Sequence, residues 1–310
     1  MNKKKRIIFF GTPEFSLAPL KTLYLGGYQI VGIYTQEPKK KSRGLKIKKT
    51  PVHEWAESQL LPVFYPDKLN SKNLKLFKEL RPDIAILFAY GKIIPQSWLD
   101  IPLFGFINIH ASLLPKWRGA APIQRAIENN DKKTGITIMK MNDKLDEGPI
   151  LNSKELKINS LTNGKNLTEL ISQESCSVLF NTLDNYLKGN LIPLEQDSSN
   201  SSYAHKIDKN ECEINWHEDS LTIERKIRAF YPRPTMWFRF QGKRFKVLSA
   251  HTLDINGDPG LILDSKKLTI ACGKGSICIN EIQAEGKNPM KSEAFILGNN
   301  NFLSGTNLIA

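Results

Sequence analysis

The chain has 310 residues, 40% of them hydrophobic, enough to bury one large core or two modest ones, and chains of this length usually divide. No apolar run approaches the roughly 20 residues that cross a bilayer, and Gly11 and Pro13 end the apolar stretch after the basic start Met1 to Arg6, which excludes a signal-peptide core. A cytoplasmic protein without membrane attachment is therefore expected; the four cysteines (Cys176, Cys212, Cys272, Cys278) form no C-x-x-C pair, so neither disulfides nor a metal are expected.

Taken in chain order, Arg6 to Gly11 is a short apolar run closed by glycine, and after the turn Thr12-Pro13-Glu14 a helical pattern runs through Phe15, Leu17, Leu20 and Leu23. Gly27 stops that helix, and Gln29 to Tyr34 reads as a second strand. Beyond a basic stretch, Val52 to Leu60 returns to helical spacing. Asp83 to Phe88, Phe106 to His110 and Ile136 to Met141 read as further strands, with helical segments Asn73 to Leu80 and Ala121 to Asn129 between them. Strands alternating with helices imply an α/β unit with an open, mainly parallel sheet covered on both faces.

Gln196 to Ser202 is polar, serine-rich and without periodicity, the composition of a linker. The expected division is a first domain over 1–190, a linker over 191–207 and a second domain over 208–310. In the second, a helical pattern from Ser220 to Phe230 precedes short runs with period two: Trp237 to Phe240, Arg244 to Ser249, Leu261 to Asp264, Lys267 to Cys272 and Ser276 to Glu281. Such a pattern predicts a small all-β unit, with an OB-like barrel as one candidate.

The net charge of +13 is uneven. Lys39, Lys40, Lys41, Arg43, Lys46, Lys48 and Lys49 lie in one stretch without an acid, and eight cations lie between Arg225 and Lys246, again without an acid. One such run is commonly a solvated surface. Two runs in different halves, the second interleaved with aromatics, fit a polyanionic partner better.

Alternation puts Phe106, Asn108 and His110 on one face of their strand, and Ser112-Leu113-Leu114-Pro115 ends it where ligand crevices of open α/β sheets lie. Alone, the two polar residues could merely satisfy loop backbone, and Asp146, with Gly148 close behind, could merely form a turn. Together they suit acyl transfer to an amine. Asn108 supplies a donor for the carbonyl oxygen, His110 a group that can hold a proton, and Asp146 a charge beside it. No serine or cysteine nucleophile is needed. The strand-turn-helix at Phe10-Gly11-Thr12 lacks the further glycines of a dinucleotide loop. His53, His205, His217 and His251 read as surface or turn residues, and Trp216 and Trp237 as core plugs.

The run from Asn108 through Arg118-Gly119 to Pro122-Ile123-Gln124 resembles the signature of the folate-dependent formyltransferases, and its W-R-G-A-A-P-I-Q part resembles the branch acting on methionyl-tRNA. Gly135 to Met141 with Asp146-Glu147-Gly148 resembles the family's second motif; Phe10 to Phe15, Arg43-Gly44 and Gly286 to Met290 extend the likeness over nearly the whole chain. The resemblance implies a Rossmann-like formyltransferase sheet and a β-rich C-terminal domain. It implies Asn108, His110 and Asp146 as catalytic residues and Ser112, Leu113, Leu114 and Pro115 as folate contacts. The implied co-substrate is 10-formyltetrahydrofolate and the implied acceptor is initiator methionyl-tRNA, handled by a monomer during translation initiation. Arg43, Lys39, Lys46, Lys48 and Lys49 are candidate contacts to the acceptor stem, and Arg225, Lys243 and Arg244 to another part of the tRNA. Formylation of a sugar nucleotide or of glycinamide ribonucleotide, hydrolysis of the formyl-folate, and a pure RNA-binding module are the competing readings.

Overall fold

The computed structural model describes residues 5–41 and 46–309, which fall into two compact units. The first comprises Met1–Gly119, Lys133–Lys157 and Thr168–Tyr203; the second comprises Ala120–Lys132, Ile158–Leu167 and Ala204–Ala310. The chain thus leaves the first unit twice to contribute short segments to the second.

In the first unit, strands β1 (Arg6–Gly11) and β2 (Gln29–Tyr34) flank helix α1 (Leu17–Leu25), which ends where Gly27 takes φ +77°. A basic hairpin of β3 (Lys39–Lys41) and β4 (Lys46–Lys48) follows, then helix α2 (Pro51–Ser58), which Thr50 caps by accepting from the His53 amide. Next come β5 (Val63–Phe64), α3 (Ser71–Glu79), β6 (Ile84–Phe88), α4 (Gln96–Leu99), β7 (Phe106–His110) and the short β8 (Arg118–Gly119). Helix α5 (Pro122–Glu128) belongs to the second unit, after which β9 (Lys133–Lys140) and β10 (Ile150–Lys157) complete a sheet ordered β10-β9-β7-β6-β1-β2-β5. Pairings from β7 through β5 are parallel, and β9 and β10 add antiparallel pairings at the other edge.

The apolar runs read from sequence are strands buried on both faces: Ile7, Ile8, Phe9 and Phe10 of β1 and all five residues of β7 are buried. One face of the sheet carries an aromatic cluster of Phe10, Tyr34, Phe77, Tyr90, Trp98 and Phe106. Sequence patterning missed β5, too short for a period, the edge strand β10 and helix α6 (Gly164–Leu187). The inward face of α6 mixes Ile171, Val178, Leu179 and Leu183 with buried Ser172, Ser175 and Thr182. Each hydroxyl is satisfied by a nearby carbonyl (Phe15, Ser172 and Val178 respectively), so small polar residues sit on a core face and blur its apolar stripe.

The Gln196 to Ser202 stretch does not behave as a free tether. Gln196 is bonded on both sides of its amide within the first unit, and Asp197 caps a short turn over Ser198–Asn200.

In the second unit, α5 packs against α7 (Ser220–Phe230), the amphipathic helix expected from sequence, capped by Asp219. After β11 (Tyr203–Ala204), strands β12 (Trp237–Phe240), β13 (Lys243–Leu253), β14 (Ile262–Asp264), β15 (Thr269–Ala271) and β16 (Ser276–Ala284) form an all-antiparallel sheet ordered β12-β13-β16-β15-β14. Strand β17 (Met290–Lys291) pairs beside β16 and leads into α8 (Ser292–Leu297). Register shifts between Val247 and Ala250 mark irregularities that let the long β13 bend. Its core holds Trp216, Phe238, Phe245, Phe295 and Phe302 in edge-to-face and stacked contacts.

Candidate active site

Period two along β7 puts Phe106, Asn108 and His110 on the face of the aromatic cluster, and that face changes character along the strand. Phe106 packs on Phe10 and Phe77, while Asn108 and His110, two and four residues on, bring polar atoms to the strand's carboxyl end. Neighbouring register sets Asn108 beside Leu87 of β6 and Met139 of β9, and His110 beside Thr137.

Asp146 arrives from the turn after β9. Its backbone takes φ +52°, a left-handed conformation that Asp tolerates better than most residues. The carboxylate accepts from the Asn108 Nδ2 amide at 3.2 Å on Oδ1 and from the Gly119 backbone amide at 2.9 Å on Oδ2. His110 Nδ1 lies 3.6 Å from Oδ2. On its other side, His110 Nε2 sits 2.9 Å from the Trp117 carbonyl, which can only accept, so Nε2 carries a hydrogen and Nδ1 is the nitrogen turned toward the carboxylate. Asn108 and His110 are 7% and 5% exposed, so water competes weakly for them. The three residues singled out from sequence thus converge on one carboxylate, Asn108 through a hydrogen bond and His110 through a close approach of Nδ1 at 3.6 Å. The second Nδ2 hydrogen of Asn108 has no bonded partner among the described residues and remains free for a ligand oxygen.

The adjoining loop is shaped by one hydroxyl. Thr137 Oγ1 donates to the Ser112 carbonyl at 2.7 Å and accepts from the Leu114 amide at 3.1 Å, while Ser112 Oγ donates to the Lys116 carbonyl at 2.6 Å. Gly135 lets Leu113 settle on the strand; a Cβ there would lie 2.3 Å from the Lys154 carbonyl oxygen and 2.4 Å from Leu113 Cδ2. Gly148 passes similarly close, where a Cβ would stand 1.8 Å from the Lys140 carbonyl oxygen.

The basic candidates separate. Arg43 and the side chain of Lys46 lie outside the described residues. Lys39 and Lys48 are exposed, and Lys49 is paired with Glu57 at 2.6 Å. Glu57 also meets His53, which is buried rather than a surface residue, and the hydrogen bond from Lys49 is the main cause of the lowered Glu57 pKa. In the second run, Lys226, Arg228 and Arg239 face Glu218, Glu224 and Glu213, acids that lie outside the run in sequence. Lys243 and Arg244 stay exposed, and Arg225 is half-buried beside Thr222. Trp237 is not a core plug: it is partly exposed on the outer face of β12, with the Arg239 and Arg244 guanidiniums 5.3 Å and 5.8 Å from its ring centre. Cys272 is buried and its thiol is pushed up to about 12 by desolvation, so it is no nucleophile. Among the described residues no cluster of potential ligands could hold a metal ion, and no helix is long and apolar enough to cross a membrane.

Residues 5–183 match the formyl transferase family and residues 206–300 its C-terminal domain. The chain is 43% identical over 297 residues to the methionyl-tRNA formyltransferase of Pelagibacter ubique, covering 95% of this chain and 96% of that one. It is 37% identical to the enzyme of the same name from Pseudoalteromonas translucida, covering 98% and 97%. Among solved structures, HypX from Aquifex aeolicus in complex with tetrahydrofolic acid superposes with a TM-score of 0.65 at 18% identity, over 98% of this chain and 48% of that one, a likeness of fold alone. The chain spans about half the length of HypX. With both domain matches in sequence order and relatives aligned end to end, the chain belongs to the formyltransferase family, in its methionyl-tRNA formyltransferase branch.

Proposed function

We propose that this chain transfers the formyl group of 10-formyltetrahydrofolate to the free amino group of initiator methionyl-tRNA, in the cytoplasm, supporting translation initiation. The observation that carries this reading is the convergence of the buried Asn108 and His110 on the Asp146 carboxylate at the carboxyl end of β7, by a hydrogen bond and a 3.6 Å approach respectively. The reduced folate supplies an activated one-carbon acyl group. Formylating an amine then needs a donor at the carbonyl oxygen as it becomes tetrahedral, and a route for the amine proton.

Asn108 meets the first need with its free Nδ2 hydrogen, while its bond to Asp146 fixes the amide plane. His110 and Asp146 meet the second: Nδ1 faces the carboxylate, so a proton leaving the amine can be held between them and passed to N10 of the folate as the bond from N10 to the formyl carbon breaks and tetrahydrofolate leaves. The Ser112 to Pro115 loop, held by Thr137, is the folate-contacting wall. Arg43, together with Lys39, Lys46 and Lys48 of the basic strands, takes the acceptor end of the tRNA, and Arg225, Lys243 and Arg244 of the second unit take another stretch of its backbone. Lys49, exposed and paired with Glu57, is a further contact to the acceptor end.

Incubation with 10-formyltetrahydrofolate, with and without charged initiator tRNA, tests the reading. Formyl-methionyl-tRNA forms only in the complete mixture. Formate released without tRNA would make the chain a hydrolase, and transfer to a sugar nucleotide or glycinamide ribonucleotide in preference to the tRNA would overturn the acceptor assignment.

A further inference from the structure

We propose that Arg118, Gln196 and Glu147 form a positioning clamp that sets Asp146 and His110 at their working orientation without touching the reacting atoms. The proposal rests on the reading of Asn108, His110 and Asp146 as the catalytic group.

Arg118 is 1% exposed, and a guanidinium so deeply buried needs its donors satisfied. Its Nε and Nη2 donate to the Gln196 side-chain oxygen at 3.1 and 2.9 Å, Nη2 reaches Ser198 Oγ at 3.3 Å, and Nη1 lies 3.3 Å from Glu147 Oε1. Gln196 turns its amide nitrogen the other way, donating to the Asp146 carbonyl at 2.8 Å and the Gly148 carbonyl at 2.7 Å. Only this amide orientation works: flipped, it would set NH₂ against a guanidinium and oxygen against two carbonyls. The ring closes through Glu147, chain neighbour of Asp146.

The placement explains what the ring does. The residues on either side of Arg118 supply the two backbone groups that hold the catalytic pair: the Trp117 carbonyl on His110 and the Gly119 amide on Asp146. Trp117 and Asp146 both take left-handed φ values, +63° and +52°, each costing of order 1 kcal/mol and stable only when surrounding bonds enforce it. Fixing the guanidinium fixes residues 117–119; fixing the Gln196 amide fixes the turn at 146–148. Both segments bearing on the carboxylate are therefore tied to one side chain in the serine-rich stretch, 78 positions from Arg118 and 50 from Asp146.

A double-mutant cycle on kcat tests the clamp in the full-length chain. Gln196→Ala is expected to lower kcat about 10- to 100-fold, the range for outer-shell partners and misplacement of about 1 Å, with KM for the folate within about twofold of wild type. Gln196→Met, close in volume, carries the same test should the alanine variant fail to fold. Gln196→Glu should be impaired too, because its carboxylate would face two carbonyl oxygens. In an Asp146→Asn background, Gln196→Ala should add less than about threefold, since its effect runs through Asp146. Wild-type kcat in a folded Gln196→Ala or Gln196→Met chain, or full multiplicative loss in the Asp146→Asn background, overturns the clamp. Wild-type kcat in Asp146→Asn alone would instead sink the catalytic reading on which it stands.

Discussion

Asn108 is the residue whose substitution bears most directly on the chemistry, because its amide is both bonded to Asp146 and open to a ligand oxygen. Asn108→Ala is expected to lower kcat by about 100- to 1,000-fold, the loss typical of one preorganised oxyanion donor, and Asp146→Asn to lower it comparably. Thermal unfolding midpoints of both variants should stay close to wild type, since the sheet core is apolar and lies toward Phe106. Single-turnover rates at saturating folate and tRNA, read beside melting curves, check this; a folded Asn108→Ala chain at wild-type rate would remove the oxyanion role. Both residues were identifiable because a strand's alternation and its end are local properties. The left-handed backbone of Asp146 and the partners of the buried Arg118 were not, since they depend on segments about thirty to eighty positions apart.

Among the elements, the Ser112 to Pro115 loop owes its shape to the Thr137 hydroxyl, which serves one donor and one acceptor of that loop's backbone. Thr137→Val keeps the volume but strands both groups, at about 1–3 kcal/mol for buried unsatisfied polar atoms. We expect a lower melting temperature and weaker folate binding by calorimetry, with kcat at saturating folate largely retained. Helix α5 of the second unit is fastened differently: Arg125 forks onto Glu211 at 2.7 and 3.1 Å and also meets Glu128. The Arg125 hydrogen bonds hold the Glu211 carboxyl below its ordinary range. A carboxyl lowered in the folded state stabilises above its unfolded pKa, and that share is lost as pH falls through the folded value. Wild type should therefore lose stability on acidification below the usual carboxylate range more steeply than Glu211→Gln. Denaturant midpoints from neutral to acidic pH check it, and parallel curves would show that the pair contributes nothing.

On the scale of the whole molecule, the two basic runs identified from sequence are less bare than their linear order suggests. Folding brings Glu57 to Lys49, and Glu213, Glu218 and Glu224 to Arg239, Lys226 and Arg228. Lys243 and Arg244 are exposed, and they and Arg225 are the cations of the second run proposed for the tRNA. Replacing these three by alanine should weaken tRNA binding and flatten its salt dependence, by roughly 0.7 to 0.9 in the slope of log affinity against log salt for each phosphate no longer neutralised. Folate binding should not change. An unaltered salt slope would move the tRNA surface elsewhere.

The sequence by itself determined the apolar strands of the main sheet, the amphipathic α7, the change to short strands beyond Asp208, and the polar trio at a strand end. Each follows from periodicity or residue chemistry within a few neighbouring positions. The motif resemblance carried the same trio to a named reaction. Only the tertiary structure decided which charges are neutralised, that His53 is buried and Trp237 outward, that α5 packs with the second unit, and that Gln196 is fixed in the first. Those outcomes rest on how the folded chain packs: the ion pairs of Lys49, Lys226 and Arg228 join residues within eight positions, but burial and long-range bonds such as that of Gln196 to the Asp146 carbonyl, 50 positions away, leave no trace in local composition.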